Sequence, residues 1–380
     1  MRVVIIGAGI AGLTTAVALQ ARGVEAQIYE SASELKLAGK GIWVPTNAML
    51  VLDRLGLGDA IAGSGIALRR AEVHLKENGI LQGIDLEDIQ ERFGRTTISI
   101  LRADLQIVLA SAVLNGSLHL SKRCVGVSDL GDSVVASFED GTTAEADVVI
   151  GADGIRSVIR KAVVGDVALR YAGQTCYLGI AQLQLPSELN RTSWEVWGGA
   201  RRFGFSPVTD ELVYWFAPVS AVEASPLPAG DLTILLQEMY RDFPDPILPI
   251  IQHTAADEIM RVDLFDFPPI EGWYRGRIAL AGDAAHAMTP NLGQGGAQAV
   301  EDAYVLATAL TEQDTIEAAL QVYQQLRKPK TKRIVEMSRW FGKLAHLDAP
   351  WAMGLRNIVL RSIPKGISRR QTETLYELNF

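Results

Sequence analysis

The chain has 380 residues, 48% of them hydrophobic and 21% charged, with a formal net charge of −8 at pH 7. Its length exceeds one typical domain, so two packed regions are expected. The acidic balance, with a sequence pI near 5.3, repels phosphate backbones and argues against a nucleic-acid partner. The two cysteines, Cys124 and Cys176, are too few for a disulfide framework and match no metal-ligand spacing, so no metal is expected. Free thiols suit a reducing, cytoplasmic location.

Arg2 precedes a nearly uncharged run over residues 3–20, which has the outline of a signal peptide. Gly7, Gly9 and Gly12 fall inside it at the spacing of a nucleotide-binding turn, so the run is read as strand, turn and helix instead. Residues 3–6 predict a buried parallel strand, 13–22 a helix closed by Gly23, and 24–29 the next strand. Residues 45–62 predict a helix, 67–75 an alternating strand and 102–114 a second helix. A hairpin follows over 133–138 and 142–146, turning at Glu139-Asp140-Gly141, and then a buried strand over 147–150. Four short alternating segments, 177–183, 193–197, 203–208 and 212–217, predict an antiparallel sheet bearing Trp194, Trp197 and Trp215. Those tryptophans fit ordinary sheet packing or a wall of a substrate cavity equally. Prolines 226, 228, 244, 246 and 249 surround one helix near 231–242; residues 277–281 predict a strand and 295–310 a long helix. No segment has the roughly 18 uninterrupted apolar residues of a membrane span.

Gly7-Ala8-Gly9-Ile10-Ala11-Gly12 is a G-x-G-x-x-G turn between a strand and a helix. Gly7 permits the tight turn, Gly9 lets the backbone approach a pyrophosphate, and Gly12 permits close helix–strand packing. Glu30 ends the second strand, 18 positions after Gly12, where an acidic residue grips ribose hydroxyls. The turn alone does not separate FAD from NAD. Two later motifs do: Gly151-Ala152-Asp153-Gly154 running on to Arg160, and Gly282-Asp283-Ala284-Ala285-His286 followed by Pro290-Asn291-Leu292-Gly293-Gln294-Gly295-Gly296.

In these motifs and their order the sequence resembles the group A flavin monooxygenases, the para-hydroxybenzoate hydroxylase type, over nearly its whole length. The resemblance implies an α/β fold: a doubly wound, Rossmann-like FAD-binding domain (1–68, 98–170 and 270–345), an inserted, mostly antiparallel substrate domain (69–97 and 171–269) and a C-terminal helical segment (346–380). It implies non-covalent FAD, with Asp283 on the ribitol and Asp153 and Arg160 in a segment used for both FAD and NAD(P)H. Arg102 and Gln106 would meet the ribityl–phosphate portion, and Ala11, Ser31, Trp43, Val125 and Leu292 would also border the cofactor. Backbone N–H groups of Gly293, Gly295 and Gly296 would face the ring, where helix-terminal dipoles stabilise the negative charge of reduced flavin. His286 reads as structural, orienting the loop beside Asp283.

The implied activity is an NAD(P)H-consuming monooxygenase that passes one atom of O₂ to a small aromatic or polycyclic molecule through a flavin C4a-hydroperoxide. An epoxidase, oxidase or reductase on the same fold is the alternative, and a non-enzymatic flavin-binding module a further one. Among named groups the chain resembles FAD-dependent urate hydroxylases, in its length, in Tyr171-Ala172-Gly173, and in Arg202 and Tyr214, which fall where that group has an Arg and a Tyr near substrate. Arg202 fits a solvent-edge arginine pair, and Tyr214 strand packing, as well as a site. Asn291 stands after Pro290 where that group has an Asp, and Thr175-Cys176-Tyr177-Leu178 lacks that group's purine-binding asparagines. A less polar substrate than urate is therefore expected, with Arg202, Tyr214, Pro290 and Asn291 as catalytic candidates. A monomer or dimer is expected. Beyond residue 345, Arg356, Arg361, Lys365, Arg369 and Arg370 accompany an apolar stripe of Trp351, Leu355, Ile358, Val359 and Ile363. A helix bridging the two domains is the preferred reading, and a membrane-surface helix the alternative.

Overall fold

The computed structural model describes residues 1–35, 40–77, 79–226, 230–363 and 373–380. Pro228, Lys365, Arg369 and Arg370 lie outside the described residues. The short apolar runs Val3–Ile6 and Val148–Gly151 are buried at every position, the signature of strands covered on both faces. They form the centre of a six-stranded sheet, pairing in parallel with each other, with Ala26–Tyr29 and with Ile278–Leu280. The helices Ile10–Gln20 and Gly295–Glu312 pack together on this sheet. Small residues make that approach possible. A Cβ on Gly282 would stand 2.8 Å from that of Ala11 and 3.3 Å from that of Ala299.

A second sheet has seven strands in the order Met260–Asp266, Arg170–Gln182, Leu212–Ser220, Arg202–Pro207, Thr192–Trp197, Arg70–Leu75, Gly79–Asp85. All its pairings are antiparallel except the one between Thr192–Trp197 and Arg70–Leu75. Period-two alternation divides its faces. Tyr177, Ala181, Phe203, Phe205, Val213 and Trp215 join the helices Leu232–Tyr240 and Ile247–Gln252 in a second core. On the other face Leu178, Ile180, Tyr214 and Phe216 remain half-buried. The tryptophans resolve as packing. Trp215 is fully buried and its indole donates to Thr254 Oγ1 at 2.9 Å; Trp194 packs edge-on to Phe205; Trp197 is buried against Phe341.

Element limits differ from the sequence expectation where the chain turns. Residues 45–62 hold two helices, Thr46–Arg54 and Gly58–Gly63, because Gly56 adopts φ +75° between them. The strand expected over 67–75 splits into Ile66–Ala67 and Arg70–Leu75. Among the elements without a sequence reading are the strand Gly79–Asp85, the helix Leu86–Phe93 capped by the Asp85 carboxylate, and the 30-residue helix Ile316–Ala345. That long helix leads into the C-terminal helix Pro350–Ser362. Arg356 anchors the latter, donating to the Leu344 and Ala345 carbonyls and lying 5.0 Å over the Trp197 ring. Gln82 donates to the Leu360 carbonyl. The C-terminal helix thus spans from the long helix to the edge of the seven-stranded sheet, and its outer face leaves Trp351, Leu355, Ile358 and Val359 exposed.

Helices Gly295–Glu312 and Ile316–Ala345 are joined by a buried ionic knot. Arg327 donates to Asp302 Oδ1 at 2.8 Å, to Gln298 Oε1 at 2.6 Å and to Glu301. Asp302 also accepts from His286 Nε2 at 2.5 Å and from the Gly282 backbone N–H at 3.0 Å. Burial pushes the Asp302 carboxyl up, but the charges of His286 and Arg327 outweigh it and hold it below its ordinary value. A carboxyl whose folded-state pKa is depressed adds stability above its unfolded value of about 4, lost as pH falls through the folded one. Arg327→Leu should therefore cost about 3–5 kcal/mol of unfolding free energy, as the loss of one partner strands buried carboxylates. Chemical denaturation at pH 7 measures this; a change below ~1 kcal/mol contradicts it.

Candidate active site

The first strand delivers the chain into a turn that only glycine accommodates. Gly7 takes φ +106°, and a Cβ there would stand 2.5 Å from the Ala152 carbonyl oxygen. A Cβ on Gly12 would stand 1.9 Å from the Gly7 carbonyl oxygen. Gly9 is different: a Cβ there meets no atom within 4 Å among the described residues. Space before Gly9, at the start of the helix Ile10–Gln20, is what an anionic group approaching the helix N-terminus requires. Ala8 is clamped from both sides. Its N–H donates to Glu30 Oε2 at 2.8 Å, and its carbonyl accepts from Gln106 Nε2 at 3.1 Å. The other Glu30 oxygen accepts from Ala32 N at 2.9 Å and Ser31 Oγ at 3.1 Å.

The second and third motifs meet behind this turn. Asp153 caps the helix Val158–Val164, accepting from Ser157 Oγ at 2.6 Å and Val158 N at 2.7 Å, and burial pushes its carboxyl up. Arg160 is buried, lies 4.5 Å over Phe267 and donates to the Ile155 and Ala284 carbonyls. It thereby braces the short helix Asp283–His286 from one side while Asp302 holds Gly282 and His286 from the other. Asp283 itself is exposed at the start of that helix. The side chains of Asp153, Arg160 and His286 are thus bound by protein, and Asp283 projects from the turn they fix. Glu301, Asp302 and Arg327, which complete the brace, were not among the sequence candidates. A signal existed in adjacent acids placed within an apolar helix pattern.

Glycines recur where a small three-stranded sheet containing Gly41–Val44 meets the seven-stranded sheet and the start of the helix Gly295–Glu312 with the loop ahead of it. A Cβ on Gly41 would stand 2.3 Å from the Tyr214 ring, one on Gly293 3.4 Å from Trp43, and one on Gly296 3.2 Å from Ile42. The Trp43 indole donates to Ser206 Oγ at 3.2 Å, which shares a 2.9 Å hydrogen bond with Ser99. The Arg102 side chain is exposed at the start of its helix, whose backbone N–H donates to the Lys40 carbonyl at 3.2 Å. Burial pushes the Tyr214 phenol well up, only partly offset by the Arg102 charge. Leu292 is half-buried in the turn that brings Gly293 to Trp43, and Pro290 is exposed at its start. Val125 is more than half exposed on the strand Cys124–Asp129; the buried thiol of neighbouring Cys124 senses the Asp153 charge.

Arg202 is no solvent-edge residue; it is 2% exposed. It donates to Glu195 Oε1 at 2.9 Å and to Asn291 Oδ1 at 2.6 Å. The Asn291 amide nitrogen donates to Thr289 Oγ1 at 2.9 Å and to the Ser338 carbonyl at 3.0 Å. Gly342 leaves room for it, since a Cβ there would stand 2.4 Å from Asn291 Nδ2. Among the described residues no group of three or more His, Cys, Asp or Glu is placed to hold a metal, and no helix is long and apolar enough to cross a membrane.

The family model described as an FAD binding domain matches residues 1–338. The chain belongs to this family of FAD-dependent aromatic monooxygenases. It is 35% identical over 361 residues to aurachin C monooxygenase/isomerase of Stigmatella aurantiaca, covering 95% of this chain and 94% of that protein. It is 32% identical over 378 residues to the FAD-dependent urate hydroxylase of Mycolicibacterium vanbaalenii, covering 97% and 95%. The structure of Klebsiella pneumoniae HpxO complexed with FAD and uric acid superimposes with a TM-score of 0.90 at 28% identity, covering 99% of this chain and 96% of that one. FAD is the cofactor, and the open face at Gly9, the clamped Glu30 and the exposed Asp283 and Arg102 fit an elongated anionic dinucleotide.

The glycine geometry separates folding from binding. Gly9→Val should leave the melting temperature within about 2 °C of flavin-free wild type, because its side chain enters open space, yet abolish flavin retention. Gly12→Ala should instead lower stability by several kcal/mol, because its Cβ meets backbone. Thermal melts with flavin content on the purified variants test both; a yellow Gly9→Val protein contradicts the assignment.

Proposed function

We propose that this chain hydroxylates an apolar aromatic or polycyclic small molecule, consuming NAD(P)H and O₂. The observation that carries the reading is the inner face of the seven-stranded sheet, where Leu178, Ile180, Tyr214 and Phe216 are half-buried beside the glycine-lined junction with the small sheet containing Gly41–Val44. An aromatic ring lying there would meet hydrocarbon on one side and the cofactor on the other. The segments 69–97 and 171–269 would then serve substrate, and 1–68, 98–170 and 270–345 the cofactor.

When bound, non-covalent FAD supplies two-electron acceptance from NAD(P)H and the activation of O₂. The chain does the rest. Gly9 and the helix behind it would receive the diphosphate, Glu30 a ribose, and Asp283, Arg102 and Gln106 the ribityl–phosphate portion. Ala11, Ser31, Trp43, Val125 and Leu292 would border the cofactor, with Asp153 and Arg160 bracing the turns. Backbone N–H groups from Gly293 to Gly296 would stabilise negative charge on the reduced ring. Tyr214 stays protonated at neutral pH, since burial raises its phenol, so it donates a hydrogen bond to substrate rather than serving as a base. Arg202, Pro290 and Asn291 would close the far end and exclude water.

A screen of quinolines, phenols, terpenoids and urate, followed by NAD(P)H oxidation and product mass, tests the reading. The expected outcome is a product heavier by one oxygen from an apolar ring, little turnover of urate, and Tyr214→Phe raising KM about tenfold, near 1.4 kcal/mol. Efficient coupled hydroxylation of urate, or NAD(P)H oxidation that yields only peroxide, contradicts it.

A cytoplasmic location belongs to the same proposal, supported by the two buried free thiols. The exposed stripe Trp351, Leu355, Ile358 and Val359 also supports weak contact of the C-terminal helix with a bilayer surface. Retention on anionic vesicles, lost in the double variant Trp351→Ser with Ile358→Ser, is the expected result; equal retention of both proteins contradicts it.

A further inference from the structure

Resting on the reading above, we propose that Glu195 determines substrate charge: by neutralising Arg202 beside the apolar wall, it makes the site select uncharged rings over anionic ones. Glu195, Gly204, Phe216 and Leu178 lie opposite one another on successive strands of one sheet. Directly opposed residues share a face, so Glu195 belongs to the same row as the hydrocarbon of Phe216 and Leu178. Gly204 contributes no side chain to the row, and the Phe216 ring fills its place: a Cβ on Gly204 would stand 2.2 Å from that ring. Arg202 lies opposite Trp197, one row along on the same face.

The charges of Arg202 and Glu195 cancel. The guanidinium is 2% exposed and pairs with Glu195 Oε1 at 2.9 Å; the Trp197 indole donates to the same oxygen at 2.7 Å. The second terminal nitrogen of Arg202 faces a neutral amide oxygen, that of Asn291, at 2.6 Å, and its buried Nε has no hydrogen-bond partner among the described residues. A carboxylate in place of Asn291 would have made this cluster net negative, and the absence of Glu195 would leave it net positive. His346, near enough to sense Arg202, adds no cation, because burial and the Arg202 charge push it down to about 3. Arg202 and Glu195 therefore stand paired at the end of the wall; the buried Arg356 guanidinium is a further cation nearby, 5.0 Å over the Trp197 ring. An anionic ring would have to displace Glu195 or sit beside it, and both are unfavourable in a water-poor site. A neutral ring disturbs neither. Arg202 alone, read from sequence, points to the opposite preference.

Two probes with one ring separate these preferences: 4-hydroxyquinoline, and the same ring bearing a 2-carboxylate. Each is titrated into the FAD-loaded enzyme, with binding followed by the flavin absorption spectrum. Wild type should bind the uncharged ring at least tenfold more tightly. Glu195→Gln keeps an oxygen acceptor for Arg202 and Trp197 but removes the negative charge. It should bring the preference to parity or reverse it, through tighter binding of the carboxylate, with affinity for the uncharged ring changed less than threefold. Adding Arg202→Gln should abolish that gain. A purely structural Glu195 would weaken both probes equally, and that result overturns the inference, as does a wild-type preference for the carboxylate, which needs no variant to observe. If both probes bind and only their ratio resists the substitution, this inference alone falls. If neither perturbs the flavin, the aromatic-substrate reading falls with it.

Discussion

Asp302 is the point on which the site depends. Its carboxylate takes three donors from three parts of the chain: the Gly282 N–H, the His286 ring and the Arg327 guanidinium. A buried carboxylate is costly unless its partners surround it, so the turn carrying Asp283, the helix Gly295–Glu312 and the long helix Ile316–Ala345 are fixed relative to one another. The same long helix gives the Ser338 carbonyl to Asn291 and the Gly342 carbonyl to Gln174. One ionic knot therefore fixes the Asp283 turn and, through the long helix, the partners of Asn291 and Gln174.

Around that knot the chain withholds side chains where backbone or ligand must come close. Gly7, Gly12 and Gly282 let helix, strand and turn approach; Gly41 lets its strand lie against the Tyr214 ring, and Gly293 lets its loop lie against Trp43. The seven-stranded sheet then divides its labour by parity. One face buries tryptophan and phenylalanine under helices, and the other offers a half-buried apolar wall ending in a closed ion pair. Family membership fixes cofactor and reaction type; on the proposed reading, this wall and its charge decide what is oxidised.

Much of the cofactor region was legible in sequence because its constraints are local. A turn at positive φ needs glycine, and a strand buried on both faces needs an unbroken apolar run, so residues 3–30 and the Asp283 loop could be read directly. The rest depends on partners far along the chain. Nothing near Asp302 announces Arg327, and Pro329, inside the long helix, carries the signal of a helix end. The three tryptophans fitted sheet packing and a cavity wall equally because composition does not reveal which parity faces helices. Arg202 was ambiguous for the same reason: its two partners, Glu195 and Asn291, approach from a neighbouring strand and from a distant loop.

The proposed activity is transfer of an oxygen atom from O₂ to an apolar ring held against this wall. The most direct test supplies ¹⁸O₂ and NAD(P)H to the FAD-loaded enzyme with a ring it binds, and weighs the product. One ¹⁸O atom per product molecule, in step with NAD(P)H consumed, is the predicted result. An unlabelled product, or labelled hydrogen peroxide formed in place of a hydroxylated ring, would contradict it.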